Sequence, residues 1–197
     1  MDGPDRPAHY NDIDAVERAA WDFMVRGALS RKSAFHQVTL ATVDAAGLPQ
    51  ARTVVLRGAD RAERQLRFHT DARSRKASEL SASPKCSLLL YDHGAKVQVR
   101  VNGTAMVHAE APVAEGIWQG MRDMSKACYR QGVAPGTSMD TADGAEGLLL
   151  SDADGYGNFV VVTVAVDGFE WLYLAAAGHR RAHVRYGSTP ERRWLAP

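Results

Sequence analysis

A run of basic residues opens a predicted helix at a place where Asp or Glu would be expected. In Thr70-Asp71-Ala72-Arg73-Ser74-Arg75-Lys76 a strand ends, Ser74 lies at the N-cap position and a helix begins. The free N–H groups of a first helical turn carry partial positive charge, so Arg75 and Lys76 each cost ~0.3–1 kcal/mol there. A bound anion removes this conflict, because both cations and the Ser74 hydroxyl would converge on it. The sequence therefore indicates a phosphate site, with a solvated basic surface as the alternative.

A second basic element lies one strand earlier. Arg52 and Arg57 bracket the apolar run Thr53-Val54-Val55-Leu56. Strand alternation puts positions five apart on opposite faces, so one ligand meets both arginines only at a bend or a strand end. Between them, the strand backbone can offer N–H and C=O groups to a flat polar ring. The alternative is that the two arginines merely flank a core strand.

These residues must be positioned by an alternation of short strands with few helices. We expect residues 1–10 to be a flexible tail and residues 11–197 to be a single domain. Asn11 or Asp12 caps a first helix, whose apolar face contains Val16, Ala19, Ala20, Phe23 and Gly27. Strands are predicted at 35–43, 51–57, 65–70, 86–91, 96–107, 158–166, 169–174 and 192–195.

Three further features complete the prediction of a mainly β fold. Asp167-Gly168 has the residues of a two-residue hairpin turn between the strands on either side. Short helices are predicted at 74–82 and along Val113, Ile117, Met121 and Met124, which recur at helical spacing. Residues 131–157 are expected to form a long loop. Consecutive hairpins with few helices favour an antiparallel β-barrel.

Composition and missing motifs exclude several classes of protein. The chain has 197 residues, 45% of them hydrophobic, and a net charge of +1, so we expect neither nucleic-acid nor membrane binding. The first ten residues lack the pattern of a signal peptide, which favours a cytoplasmic location. Cys86 and Cys128 show no disulfide framework or metal-ligand spacing, and we predict no metal site. The fingerprints of dinucleotide-binding, NTPase and serine-hydrolase sites are absent.

From about residue 35 to its end, the chain resembles the pyridoxamine 5′-phosphate oxidase family. Arg52 to Arg57 is similar to the family's Arg-x-Val-Leu-Leu-Lys strand. Phe68-His69-Thr70-Asp71, followed by Ser74-Arg75-Lys76, resembles its Phe-Tyr-Thr-Asn and Ser-Arg-Lys motifs at the family's spacing. Val97-Gln98-Val99 is similar to its Arg-Gln-Val strand, and Arg181-Ala182-His183-Val184-Arg185 to its Arg-x-His-x-Arg motif.

The resemblance implies a six-stranded split β-barrel, a homodimer with FMN at the subunit interface, and hydride transfer between a small-molecule substrate and FMN. It also implies roles for particular residues. The phosphate contacts would be Arg52, Arg75 and Lys76, to which the helix start described above adds Ser74. The flavin contacts would be Thr53, Val54, Val55, Leu56, Arg57, His69, Thr70, Gln98 and Arg185. The substrate contacts would be Arg57, Arg122, Arg181 and His183. No residue is assigned as a catalytic acid or base.

Departures from the family pattern leave the substrate open. Arg57 stands where the family has Lys, and Arg is bulkier, planar and always charged. Val184 replaces an Asp, and Arg180-Arg181-Ala182 offers a competing register for the terminal motif. The family's substrate-phosphate residues, Tyr, Arg and Ser, fall near Trp118, Arg122 and Lys126. A related branch of FMN-binding proteins, with Arg at the position of Arg57, looks closer still. A true pyridoxamine phosphate oxidase and a non-catalytic flavin or haem protein are the alternatives.

Overall fold

The computed structural model describes residues 7–109, 112–144, 147, 149–176 and 178–197, and within them eight strands form one antiparallel sheet. Six of these strands close into a barrel in the order β3-β2-β1-β4-β5-β6, with β6 pairing back onto β3. The strands are β1 (Gln37–Val43), β2 (Pro49–Asp60), β3 (Gln65–Asp71), β4 (Lys85–Asp92), β5 (Val97–His108), β6 (Phe159–Tyr173), β7 (Arg180–Arg185) and β8 (Glu191–Leu195). The predicted six-stranded antiparallel split barrel is confirmed.

The longest strand, β6, differs from the prediction. We expected a hairpin with its turn at Asp167-Gly168, and this expectation is wrong, because residues on both sides belong to one continuous strand. The strand has a bulge at this point, where its pairing with β5 shifts by one residue. Gly168 is required by close packing instead of a turn, since a Cβ there would collide with the backbone carbonyl of Val184.

The bulge is where the sheet divides. Before it, β6 pairs with β3 and closes the barrel; after it, β6 pairs with β7, which pairs in turn with β8. The core lies inside the barrel, where residues such as Leu40, Leu56, Val99 and Trp171 are fully buried. The two halves of β6 therefore connect the closed barrel to a two-stranded extension.

Helices cover the barrel. Their bounds are α1 (Ile13–Leu29), α2 (Arg75–Ala82), α3 (Pro112–Gln119), α4 (Asp123–Lys126) and α5 (Asp152–Asn158). Asp12 caps α1, because its side chain accepts from the N–H groups of Asp14 and Ala15. The buried face of α1 is centred on Val16, Ala20 and Met24. Among the described residues, no helix is both long and apolar enough to cross a bilayer.

Three other stretches depart from the sequence prediction. The expected tail, residues 1–10, lies outside the described residues up to position 6. Tyr10, however, is buried in a 3₁₀ turn against Trp171 and Tyr173. The helix expected along residues 113–124 is two helices, α3 and α4, separated near Gly120. The loop expected over 131–157 ends in α5, which is capped by the Ser151 hydroxyl.

Candidate functional site

The junction of β3 and α2 gathers hydroxyl groups in a buried position. Thr70 and Ser74 are 5% and 3% exposed, and their hydroxyl oxygens lie 3.2 Å apart. Ser74 lies at the N-cap position as predicted, but its hydroxyl donates to the Asp71 carbonyl at 2.6 Å instead of accepting from the helix. In this part of the described chain, the first turn of α2 therefore has no side-chain cap.

Lys76 points back from α2 to these hydroxyl groups. Its Nζ donates to Thr70 Oγ1 at 3.0 Å, and the side chain is half-buried. Burial lowers the pKa of Lys76, and the nearby charge of Arg52 lowers it further. A half-buried ammonium beside a second cation is an unfavourable arrangement that an anion would relieve.

Arg52 reaches the same corner from β2. Its guanidinium donates to Thr42 Oγ1 and, at 2.8 Å, to Oε2 of Glu79, a carboxylate that is 8% exposed. The Thr42 hydroxyl also donates to Glu79 Oε2, at 2.5 Å. We call Arg52, Thr70, Ser74 and Lys76 the basic cluster. Glu79 orients Arg52 within it, and a pair of residues 27 positions apart has no local signal in the sequence.

Arg75 lies at the rim of the basic cluster. Its side chain is exposed. The pKa of the Asp44 carboxyl is lowered mainly by the hydrogen bond from the Leu48 N–H. The charge of Arg75 is one of the weaker influences that also lower it. Arg75 is thus free to turn toward a ligand at little cost, whereas Lys76 is held in place by Thr70.

The strand between Arg52 and Arg57 has an open backbone edge. β2 pairs with β1 from Pro49 to Val55, but its pairing with β3 begins only at Leu56 in the described sheet. The β3-facing backbone groups of Thr53 to Val55 are therefore available to a ligand, as predicted for a flat polar ring. The two arginines lie on opposite faces, since Arg52 shares the side of buried Val54 and Leu56.

On the outer side of the barrel, Arg57 and His69 line a cavity of about 430 Å³. The Nε2 atom of His69 is buried and has no hydrogen-bond partner among the described residues. Burial, together with the charges of Arg67 and Arg57, lowers the pKa of His69 to about 4. The opposite wall comes from α3, α4 and the residues after them. Its lining residues are Ile117, Gly120, Met121, Met124, Ser125, Cys128 and Tyr129.

The other predicted contacts lie at the far end of β6. Gln98 is paired with Leu172, which pairs in turn with Arg181. Arg181 donates to Glu170 Oε2 at 2.5 and 3.0 Å, and Arg100 donates to Oε1 of the same carboxylate at 2.6 Å. Partial burial raises the pKa of Glu170. The hydrogen bond from Arg181 and the charge of Arg100 outweigh this effect, so the pKa is lowered overall.

His183 and Arg185 continue this second group along β7. His183 pairs with Glu170 in register, and its Nδ1 is buried with no hydrogen-bond partner in the described chain. Arg185 forms an ion pair with Glu191 at 3.2 Å. We call Gln98, Arg181, His183 and Arg185 the β7 group. In the described part of the chain, the β7 group lies on β5 and β7, whereas the basic cluster lies on β2, β3 and the start of α2.

The three helix residues that fall near the family's substrate-phosphate positions lie beside the lining residues of the Arg57 cavity in sequence but have other contacts. Trp118 is buried and donates to Asp152 Oδ2 at 3.2 Å. Lys126 lies 3.7 Å from the same carboxylate and 5.1 Å above the Trp118 ring. Arg122 is the N-cap residue of α4. Among the described residues, neither Arg122 nor the other two line the cavity beside Arg57.

Comparison with known proteins matches part of this chain to a known family. Residues 18–109, which include the basic cluster and the strand from Arg52 to Arg57, match the family model described as pyridoxamine 5′-phosphate oxidase, FMN-binding domain. The predicted resemblance to this oxidase family is confirmed. Because the matched model is that of an FMN-binding domain, FMN is confirmed as the cofactor predicted from the sequence.

Curated relatives match this chain over a limited stretch. A pyridoxine/pyridoxamine 5′-phosphate oxidase of Paraburkholderia phymatum is 46% identical over 69 residues, which are 35% of this chain and 32% of that protein. The corresponding enzyme of Paraburkholderia phytofirmans is 50% identical over 66 residues, 34% of this chain and 30% of that protein. The chain thus spans about a third of the length of the curated relatives that it matches.

Solved structures share the fold over nearly the whole chain. A pyridoxamine 5′-phosphate oxidase-related, FMN-binding protein from Nostoc punctiforme is 24% identical, with a TM-score of 0.77 over 91% of this chain and 97% of that one. PhzG from Burkholderia lata, solved with tetrahydrophenazine-1-carboxylic acid, is 20% identical, with a TM-score of 0.73 over 100% of both chains. At these identities the likeness shows the fold alone.

Proposed function

We propose that this protein is an FMN-dependent oxidoreductase that acts on a small molecule. The observation that carries the proposal is the basic cluster, where half-buried Lys76 faces two buried hydroxyl groups beside Arg52. When bound, FMN supplies the group that accepts or donates a hydride. The residues of this chain bind and orient the cofactor and the substrate.

The basic cluster fits the phosphate of FMN. Lys76 supplies a fixed cationic donor, and exposed Arg75 can close over the phosphate from the rim. The Thr70 hydroxyl holds Lys76 in place, and the Ser74 hydroxyl donates its proton to the Asp71 carbonyl. The uncapped first turn of α2 adds backbone N–H groups. Hydrogen bonds to a charged group contribute ~1.5–3 kcal/mol each, so losing two cations would cost FMN several kcal/mol of binding free energy.

The flavin ring fits beside the open edge of β2. Backbone groups of Thr53 to Val55 lie unpaired toward β3, and the orphaned Nε2 of His69 offers a partner for a polar ring atom. A neutral imidazole can donate or accept there, which suits a ring bearing both kinds of group. Arg57 would contact the flavin and the substrate from the cavity side.

A homodimer would bring the β7 group to this site. Gln98 and Arg185 are predicted flavin contacts, and Arg181 and His183 are predicted substrate contacts, yet all four lie at the other end of β6. A second copy could supply them across the interface. Large apolar side chains on the outer face of the sheet, such as Leu89, Tyr91 and Met106, are 38%, 41% and 62% exposed and could be covered by that copy.

The visible absorption spectrum of the purified protein, followed by identification of the released chromophore, tests this function. FMN is expected. The double variant Arg75→Ala/Lys76→Ala should lose it while keeping the circular dichroism of a folded barrel. The variant Arg31→Ala/Lys32→Ala removes an exposed Arg-Lys pair of the same sequence and should keep its FMN. Equal flavin content in the two variants would place the phosphate elsewhere.

Turnover is tested separately from binding. Anaerobic reduction of the bound flavin by a panel of small-molecule donors, pyridoxamine 5′-phosphate among them, should identify at least one that bleaches the flavin absorbance. If no donor reduces a flavin that dithionite does reduce, the protein is a flavin carrier and the oxidoreductase proposal is wrong.

A further inference from the structure

The pairing of β2 with β3 contains a bulge at Arg57. Leu56 pairs with Phe68, and the next pair along the strands is Gly58 with Arg67, so β2 has one extra residue at this point. A bulge bends its strand and increases the local twist. On one side of the bulge the strands pair as far as their turn, whereas on the other side pairing stops at Leu56. The bulge therefore marks the place where β2 leaves β3 and its backbone edge opens.

The side chain of Arg67 lies across this bulge. Its Nη2 donates to the carbonyl oxygen of Arg57, the extra residue, at 3.2 Å. Gly58 leaves the space for this contact, because a Cβ at position 58 would lie 3.1 Å from both the Cβ and the Nε of Arg67. The guanidinium thus connects β3 to the backbone of the bulge in β2.

This arrangement of Arg67 is unfavourable for folding by itself. Its Nε is buried and has no hydrogen-bond partner among the described residues. A buried N–H group without a partner keeps its cost of desolvation. The buried Nε2 of His69 also lacks a partner, and alternation puts His69 on the same face of β3 as Arg67. Such departures from good local packing are expected where a binding site requires them.

Arg67 also influences His69 through its charge. Burial is the main cause of the low pKa of His69, about 4, and the charge of Arg67 is the next. The imidazole is therefore neutral at pH 7, and its Nε2 can donate or accept a hydrogen bond. Thr70, which belongs to the basic cluster, lies on the opposite face of β3. The contacts of Arg67 are thus directed to the side where the flavin ring fits and away from the phosphate side.

We propose that Arg67 is a positioning residue for the flavin ring: together with Gly58 it holds the bulge at Arg57 and so keeps the backbone edge of β2 open. The proposal rests on the proposed function, in which the ring takes this edge. It goes beyond that function because Arg67 belongs neither to the basic cluster nor to the described lining of the cavity beside Arg57.

Parallel titrations of FMN-free protein with FMN and with riboflavin test the proposal. Arg67→Met removes the donor and the charge and keeps a long side chain. Both flavins should bind about fivefold or more weakly, and by the same factor to within about twofold, because they share the ring. Unchanged affinities would overturn the proposal. A loss for FMN alone would also overturn it, because Arg67 would then act on the phosphate through its charge.

Arg26→Met is the matched control. Arg26 also donates to a backbone carbonyl, that of Asp22 at 3.3 Å, but it lies on α1. Its removal should change neither flavin affinity. Equal losses in Arg26→Met and Arg67→Met would show that the effect is not specific to the bulge, and would contradict the proposal.

Two measurements distinguish positioning from a purely structural role. Because Arg67→Met removes a buried N–H without a partner, the FMN-free variant should unfold at the urea concentration of the natural protein or at a higher one. At saturating FMN, its flavin absorption band should move toward that of free FMN, since contacts with the ring shift this band. A lower unfolding midpoint together with an unchanged band would show that Arg67 only stabilises the fold.

Gly58→Ala disturbs the same contact from the other strand. Its methyl group should displace the Arg67 side chain from the Arg57 carbonyl and weaken both flavins by about threefold or more. In the Arg67→Met background the same change should have a smaller effect, because the hydrogen bond is already absent. Fully additive effects would mean that Gly58 and Arg67 act independently, and would contradict the proposal.

The natural protein separates failure of this proposal from failure of the proposed function. If it binds no FMN, both are refuted. If it binds FMN and Arg67→Met binds both flavins equally well, only the positioning role is refuted.

Discussion

The chain contains the tripeptide Ser-Arg-Lys twice, and the two copies lie in opposite surroundings. Ser30-Arg31-Lys32 follows the C-terminal end of α1, where all three residues are exposed. Positive charge is favourable at that end of a helix. Ser74-Arg75-Lys76 opens α2, where Ser74 is buried, Lys76 is half-buried and positive charge is unfavourable.

The difference explains why we propose the second copy, and not the first, as the phosphate site. The residues around Ser30 have their charges matched by the helix and solvated by water. Around Ser74, burial and the charge of Arg52 lower the pKa of Lys76. The positive charge there is unfavourable, and a bound anion would relieve it. The tripeptide alone does not define the site; its position relative to the helix and to β3 does.

Charge reversal at the two lysines is the strongest way to break the comparison. Lys76→Glu should weaken FMN binding by a factor of ~1000 or more, because it removes one charge-assisted hydrogen bond and adds repulsion of the phosphate. Lys32→Glu makes the same change on the exposed copy and should leave the affinity within twofold. Titration of FMN-free protein with FMN, followed by flavin fluorescence, measures both. Similar losses in the two variants would refute the comparison.

Burial at the site should also appear in the pH dependence of stability. The pKa of His69 is lowered from 6.5 to about 4 by burial and by Arg67 and Arg57. The unfolded chain therefore binds a proton that the folded chain does not, so stability falls as pH drops from 6.5 toward 4. The contribution amounts to ~2–3 kcal/mol between pH 7 and 4.5.

His93 offers a matched exposed histidine in the turn after β4. Urea unfolding should show that acid lowers the stability of His69→Gln by ~2–3 kcal/mol less than that of the natural protein. His93→Gln should keep the natural pH dependence. Parallel pH profiles of stability for the natural protein and His69→Gln would show that folding does not lower the pKa of His69.

The Thr70 hydroxyl, which accepts a hydrogen bond from Lys76, can be removed while the side chain keeps its shape. Thr70→Val deletes the acceptor of the 3.0 Å bond from Lys76 and should weaken FMN about tenfold, which corresponds to ~1.4 kcal/mol. Thr104 holds Lys85 in the same way, at 2.8 Å, on an exposed part of the barrel. Thr104→Val should leave FMN affinity unchanged, and an equal loss would remove Thr70 from the account.

The smallest effect concerns the protein without FMN. Lys76→Met removes a half-buried ammonium at the unfavourable end of α2 and should stabilise the FMN-free protein by ~0.5–1 kcal/mol. Lys32→Met should change stability by less than ~0.5 kcal/mol, as is usual for an exposed position. Chemical unfolding measures both. Destabilisation by Lys76→Met would mean that the ammonium is satisfied by the protein itself.

Much of the fold was predictable because its signals are local. Alternation along β5 and the turn residues between short strands predicted the antiparallel barrel, and Asp12 capped α1 as one of two expected residues. β6 was misread because Asp-Gly is typical of a hairpin turn, whereas the need for Gly168 comes from β7. Such contacts between distant segments leave no trace in a local pattern.

The candidate site divides in the same way. The strand-to-helix position of Ser74, Arg75 and Lys76 was readable from sequence, since the conflict with the helix dipole is local. Glu79 and the cavity wall at Met121 and Met124 were not, because the fold alone brings them to Arg52 and Arg57. The hydroxyl of Ser74 was placed correctly but given the wrong partner, since Asp71 competes for it.

The affinities of FMN and riboflavin, which differ only in the phosphate, test the central claim most directly. Both should be measured for the natural protein and for Arg75→Ala/Lys76→Ala by the same fluorescence titration. We predict that the natural protein binds FMN at least 100-fold more tightly than riboflavin, and that the double variant narrows this ratio to tenfold or less. Equal affinities for the two flavins in the natural protein would contradict a phosphate site at the start of α2.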